Sequence, residues 1–203
     1  MRNGQLKAGY NVQLAVNSKY IAGIEVFSDR TDVGTLRPFL QKLELAHQQR
    51  YEEVTTDAGY ESLDNYLYLE SNGQISFIKP ANYEAQKTKK YRSQFGRVEN
   101  MKYDENEDCY ICAEGRKLFC RKVSTELSDG IPVTKAWYRC EECRNCPQRE
   151  KCCWKQDVNA QEEVIRKATF WEKRKVFQEN TTSERGILLR KTVRSRWRVH
   201  LVC

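Results

Sequence analysis

No apolar run in this sequence is long enough to cross a bilayer as a helix. The opening residues, Met1 to Lys7, lack the apolar segment of a secretory signal, which predicts a cytoplasmic protein. Histidine is scarce, with two in 203 residues. His47 falls near the end of a predicted helix, where it faces the last carbonyls, and His200 stands close to the final residue, so neither suits a metal ligand. No Ser/His/Asp arrangement, no glycine-rich phosphate loop and no internal repeat of useful length occurs. Nucleophilic triad chemistry and P-loop nucleotide binding therefore have no footing here.

What is present is charge, aromatic side chains and cysteine. Thirty-five Lys and Arg against 28 Asp and Glu leave a formal charge of +7, which fits a nucleic-acid partner without demanding one. A mean hydropathy of -0.80 accompanies four Trp, eleven Tyr and seven Phe, so a core would lean on aromatic rings. The length suits one ordinary domain, or a domain with a small insert. Nine cysteines in a reducing compartment point to metal ligation before disulfides.

The first third alternates sheet and helix signals. Tyr10 to Val16 alternates apolar and polar side chains, Tyr20 to Phe27 repeats a β-rich pattern, and Asn17-Ser18-Lys19 reads as a hairpin turn. Thr35 caps a predicted helix in which Leu36, Phe39, Leu40, Leu43 and Ala46 share one face, with Pro38 tolerated in its first turn. A short strand over Glu53 to Thr56 ends on Asp57. Leu63, Tyr66, Leu67 and Glu70 suit a helix closed by Asn72-Gly73, and Ile75 to Lys79 is the next strand. The pattern predicts an α/β fold with a mixed sheet.

From Asn82 to about Tyr103 the composition shifts to Lys, Arg, Gln and Tyr. The cysteines then cluster between Cys109 and Cys153, and Asn159 to Arg190 turns helical and highly charged, with Val164, Ala168, Trp171 and the Lys175 stem on one side.

Thr55-Thr56-Asp57-Ala58-Gly59-Tyr60-Glu61 is the most informative stretch. It puts a carboxylate at a strand's C-terminal end, where ligands gather in open α/β sheets. Mg²⁺ prefers oxygen ligands, and two or three carboxylates with phosphate oxygens make a working site for phosphoryl transfer. The plainer reading is that Asp57 caps the following helix, with Ser62 as a second candidate. Asp29 and Asp32 are also available, but Asp32 lies just before a helix and reads as its cap, and Asp29-Arg30 reads as a surface ion pair.

Three segments together, Asn3-Gly4-Gln5-Leu6-Lys7-Ala8-Gly9-Tyr10-Asn11-Val12-Gln13, Asp32 to Phe39, and Asp57-Ala58-Gly59-Tyr60-Glu61, resemble a bacterial insertion-sequence transposase of the DDE type. The resemblance runs to about Arg190. It implies an RNase-H-like domain in which three acidic residues hold divalent metal for DNA strand cleavage and joining, and it assigns Asp57 as the second acid and a Mg²⁺ ligand. The first acid would lie upstream of Met1, together with the family's N-terminal DNA-binding region, so the resemblance implies a chain truncated at that end.

After Leu188-Leu189-Arg190 the resemblance implies a continuation containing the third acid, a Glu. The chain instead reads Lys191 to Cys203, without an acidic residue. One permissible coding of that tail, read from its third nucleotide, translates as Asn-Arg-Ser-Ile-Gln-Val-Glu-Gly-Ala-Phe-Gly-Val, the continuation the family would show. A lost base near Lys191 is therefore expected to have shifted the frame, the alternative being a genuine Arg/Trp-rich DNA-binding tail.

Cys140-x2-Cys143-x2-Cys146-Pro147 followed by Cys152, with Cys109-x2-Cys112 upstream, has metal-ligand spacing. Cys109 and Cys112 with two of Cys140, Cys143 and Cys146 make a tetrahedral Zn²⁺ set, with Cys152 as a further ligand and Cys120 and Cys153 as spares. An iron–sulfur cluster is the alternative, though the spacing to the next cysteine fits it poorly. Lys87 to Arg92, with Lys89, Lys90 and Arg92, and Arg166 to Lys175, with Lys173 and Arg174, are candidates for phosphate contacts, with Tyr91 or Trp171 packing on sugars or bases.

The resulting reading is a partial RNase-H-like mixed sheet with flanking helices over residues 1–81. A basic linker covers 82–108, a cysteine-rich insert 109–155, a charged helical segment returning to the core 156–190, and a frameshifted tail 191–203. The expected function is that of a catalytically inactive DDE transposase fragment, or of a regulator that binds DNA at the element's ends and competes with full-length transposase in the bacterial nucleoid.

Overall fold

The computed structural model describes residues 9–128, 131–140, 143, 145–152, 163–166, 168–193 and 199–202. The motif residues Asn3 to Ala8, together with Cys153, lie outside that set, as do residues 194–198. The chain divides into two compact units, Met1–Ala81 with Lys173–Cys203, and Asn82–Glu172.

The first unit opens with β1 (Asn11–Asn17) and β2 (Tyr20–Phe27), an antiparallel hairpin turned at Ser18. Polarity on β1 runs against the usual burial: Gln13 is fully buried, whereas Tyr10 before the strand is 82 % exposed and Val12 45 %. Helix α1 (Leu36–His47) buries Leu36, Phe39, Leu40 and Leu43, as the period of 3.6 predicts, but Ala46 stands exposed. Thr35 occupies the cap position without capping a helical amide, because its hydroxyl donates to the Asp32 carbonyl at 2.8 Å. Strand β3 (Glu53–Thr56) leads through the turn Ala58–Tyr60 into α2 (Leu63–Ser71), which Ser62 caps by accepting from the Asn65 amide at 3.1 Å. Gly73, at φ +68, stops that helix and hands the chain to β4 (Ile75–Ile78), parallel to β3.

The second unit begins with the single turn α3 (Lys89–Arg92) and continues as an antiparallel meander. Its strands β5 (Lys102–Asp104), β6 (Cys109–Ile111), β7 (Lys117–Ser128) and β8 (Ile131–Cys140) are followed by the turn α4 (Arg149–Cys152) and by β9 (Glu163–Arg166), and the spatial order is sequential. Met101, Tyr110, Leu118, Ala136, Tyr138, Cys140 and Cys143 form its core. The Tyr110 and Tyr138 rings meet edge-on at 5.0 Å, and Asp108 accepts from both the Tyr103 and Tyr138 hydroxyls, at 2.5 and 2.6 Å.

Helix α5 (Ala168–Thr182) carries the chain back to the first unit, where α6 (Glu184–Val193) and β10 (Val199–Val202) complete it. The single helical face expected around Val164 and Trp171 is not formed: Val164 belongs to strand β9, and the buried side of α5 is Arg174, Phe177 and Thr181, one helical stripe. Phe177 stacks on Tyr66 at 4.2 Å. The sheet order is β2-β1-β10-β3-β4, with β10 parallel to β1 and antiparallel to β3. The centre of this sheet is thus a strand from the far end of the chain, fitted between two strands whose inner edges would otherwise carry unpaired amides and carbonyls.

Candidate functional site

The site is built where β3 ends. Asp57 is exposed and extended, and its Oδ1 accepts the Gly59 amide at 2.8 Å, closing the turn that follows. Tyr60, fully buried, anchors that turn by donating its hydroxyl to Gln13 Oε1. Gln13 Nε2 in turn donates to Asp32 Oδ1 at 3.0 Å and to Asn11 Oδ1 at 2.8 Å, and Asn11 Nδ2 reaches Asp32 Oδ1 at 2.9 Å. The inward polar positions of β1 therefore orient a carboxylate.

That carboxylate corrects the reading of Asp32 as a helix cap. Only its backbone carbonyl serves the start of α1, accepting from the Thr35 amide at 3.1 Å. Its side chain is held by Asn11 and Gln13 through Oδ1, with Oδ2 beside Gly59. A Cβ on Gly59 would lie 2.9 Å from Asp32 Oδ2 and 3.1 Å from Asp57 Oδ1, so the two acids share the space above a bare Cα. Periodicity could not find this pairing. The signal was Asn11 and Gln13, two hydrogen-bonding side chains at alternate positions of a strand that should bury one face.

Behind the turn, Glu61 and Arg174 form a buried ion pair, with side chains 4 % and 6 % exposed and Nε 2.8 Å from Oε1. The Nε contact is poorly aligned as a hydrogen bond, and Nη2 donates to Oε2 at 3.3 Å. The Tyr66 hydroxyl and the Ala81 amide also donate to this carboxylate, at 2.8 and 2.6 Å. Burial first, then the charge of Glu61, pushes the Tyr66 phenol far above its ordinary value. Arg174 was expected to contact DNA; it is instead enclosed, its charge answered by Glu61, and it offers nothing to a phosphate. Lys173 pairs with Glu70 at 2.7 Å but keeps part of its surface open.

Lys89, Lys90 and Arg92 are all exposed on α3 of the second unit. Tyr91 between them is buried, and its hydroxyl meets Asn82 and Glu99 at 2.6 and 3.2 Å, so it cannot stack on a base. The basic triplet is a surface and the tyrosine its root.

Five cysteines, Cys112, Cys140, Cys143, Cys146 and Cys152, line one cavity of about 20 Å³ in the second unit. Cys109 is not among them. It is the first residue of β6, on the face opposite Tyr110, and burial together with Glu107 pushes its thiol up. Cys120 is also apart, its thiol directed at the Lys122 carbonyl 3.8 Å away. Among the described residues, no three or more His, Cys, Asp or Glu side chains are arranged to hold a metal ion, and no helix is long and apolar enough to span a membrane.

The geometry defines an α/β protein with an acidic turn at a strand end and a second, cysteine-lined antiparallel unit. Residues 111–197 match the family model described as "Transposase DDE domain", so that stretch is similar to DDE-type transposases. The matched stretch holds the cysteine cavity, α5 and α6; Asp32 and Asp57 precede it. No curated protein and no solved structure matches the chain.

Proposed function

We propose that this chain is a DNA-binding relative of DDE transposases in which Asp57 is a Mg²⁺-holding carboxylate of an RNase-H-like site, and in which strand cleavage and transfer no longer proceed. The observation that carries the reading is the turn after β3, where Asp57 and Asp32 converge over Gly59. Two carboxylates with phosphate oxygens and waters suit one Mg²⁺. Strand transfer needs further acidic ligands to clamp both the attacking and the leaving oxygen. The stretch where the resemblance puts the third acid carries none, since no Asp or Glu follows Glu184.

In the intact chemistry a bound divalent ion would activate water or a 3′-hydroxyl and stabilise the leaving oxygen. What this chain's own residues do is orient. Asn11, Gln13 and Tyr60 fix Asp32 and the turn, and the Gly59 amide fixes Asp57. Lys89, Lys90, Arg92 and the open part of Lys173 supply phosphate contacts, and a thiolate-held Zn²⁺ stabilises the cysteine-lined unit. Supporting this are the net charge of +7 and the family match. A cytoplasmic regulator that occupies insertion-sequence ends in competition with full-length transposase is the working role.

The test is incubation of the full chain with DNA carrying the element's ends, with Mg²⁺ or Mn²⁺. Salt-sensitive binding without nicking is expected. Metal-dependent nicking that Asp57→Asn abolishes would overturn the inactive reading while keeping Asp57 as a ligand. Absence of DNA binding at low salt would overturn the role altogether.

A further inference from the structure

The cysteine cavity carries an assignment that spacing alone does not reach. Cys112 sits in a tight turn, with the Gly115 amide donating to its carbonyl and its own amide donating to Arg116, both at 2.9 Å. Cys143 and Cys146 bracket a second turn, the Cys146 amide donating to the Cys143 carbonyl at 3.2 Å. Cys152 closes α4, its amide donating to the Gln148 carbonyl at 3.1 Å, and Cys140 ends β8 beneath them. Three separate stretches of chain thus deliver thiols to one small space, which Arg116 and Arg149 also line.

We propose that this cavity is a Zn²⁺ site whose four thiolates are Cys143, Cys146 and two of Cys112, Cys140 and Cys152, and that Cys109 is not a ligand. This rests on the zinc reading of the second unit and replaces its ligand set. Soft sulfur donors select Zn²⁺ over Mg²⁺. The cavity is of the size of one small ion or water. Binding converts four thiols and Zn²⁺ into a tetrathiolate centre of net charge −2 and releases four protons. Arg116 and Arg149 are placed to offset that charge. The thiols line the cavity without meeting at one point, so ligation requires rotation about their Cα–Cβ bonds. Cys109 cannot join by such a rotation, because it lies across the strand from the Tyr110 face. A centre tying the β6–β7 turn to the β8 end and α4 supplies folding energy to a unit whose own apolar core is small.

The experiment is anaerobic loading of the full chain with Zn²⁺, and separately with Co²⁺, whose thiolate charge-transfer and visible bands report tetrahedral sulfur ligation. One zinc per chain and an intense tetrahedral Co²⁺ spectrum are expected, both retained by Cys109→Ser. Cys143→Ser and Cys146→Ser should each lower metal retention about tenfold or more against a chelator. Should those variants not fold, Cys146→His keeps four donors and shifts the Co²⁺ bands only if residue 146 is a ligand. Wild-type chain that takes up neither metal, or that carries iron and sulfide, overturns the zinc reading itself. Metal that is bound but released by Cys109→Ser, or an unshifted Cys146→His spectrum, overturns this ligand set and leaves the zinc reading standing.

Discussion

Asp32 and Asp57 point their carboxylates at the same spot, 2.9 and 3.1 Å from where a Cβ of Gly59 would be. Without a cation between them the pair is mutually repulsive. Asp57→Asn is therefore expected to raise stability in chelator by about 0.5 kcal/mol and to lose that advantage in millimolar Mg²⁺. Urea unfolding with and without Mg²⁺ reads both signs. Equal midpoint shifts in the two buffers would argue that no ion sits there.

Gly59→Ala puts a methyl group into that space. It should cost about 1–2 kcal/mol and weaken Mn²⁺ binding, measured by paramagnetic titration, by more than its effect on stability explains. Unchanged Mn²⁺ affinity would place the ion elsewhere.

The Glu61–Arg174 pair gives a sharper contrast between support and contact. Arg174→Met strands a buried carboxylate and should cost about 3–5 kcal/mol in urea melts. Lys89→Ala with Lys90→Ala and Arg92→Ala should leave the melt almost unchanged while lowering the slope of log affinity against log salt by about 3. A triple variant with the wild-type salt slope would remove α3 from the DNA surface.

Stability should fall at high pH, and tyrosine sets the window. Tyr66 and Tyr138 are held protonated chiefly by burial, then by Glu61 and Asp108. Their folded values lie above the unfolded value near 10, so their contribution is complete below about pH 10 and drains as pH rises beyond it. Each proton held only by the folded state costs about 1.4 kcal/mol per pH unit above that point. Urea midpoints at pH 9 and 11 should differ accordingly, and Tyr66→Phe should flatten the slope in the first unit.

Much of the first unit was legible. The hairpin turn, the buried face of α1 and the stop at Gly73 follow from turn chemistry and periodicity, because those signals are local. The strand ending at Asp57 was legible for the same reason. Asp32 was not, since its partners Asn11 and Gln13 are polar residues on an inward face, which an apolar-in rule assigns the wrong way. Arg174 and the basic run around it looked alike in sequence; only the position of Glu61 separates a core cation from surface ones. The long pair β7 and β8 was hidden because its buried positions Leu118, Val133, Ala136 and Tyr138 do not keep a period of two. The cysteine spacing was plain, but the strand that puts Cys109 and Tyr110 on opposite faces decides which thiols share a cavity.

Val199 is fully buried in β10, between β1 and β3. Val199→Asp should therefore cost on the order of 3 kcal/mol or more, read by urea melts, whereas a tail lying outside the sheet would tolerate it.

That same strand sets an order of events on the ribosome. The second unit, contiguous from Asn82 to Glu172, can fold while synthesis continues. The first unit cannot: β1 and β3 emerge early but meet in one sheet only through a strand made after the whole of the second unit. Until then two half-sheets wait with open edges, and the turn that carries Asp57 is attached to only one of them.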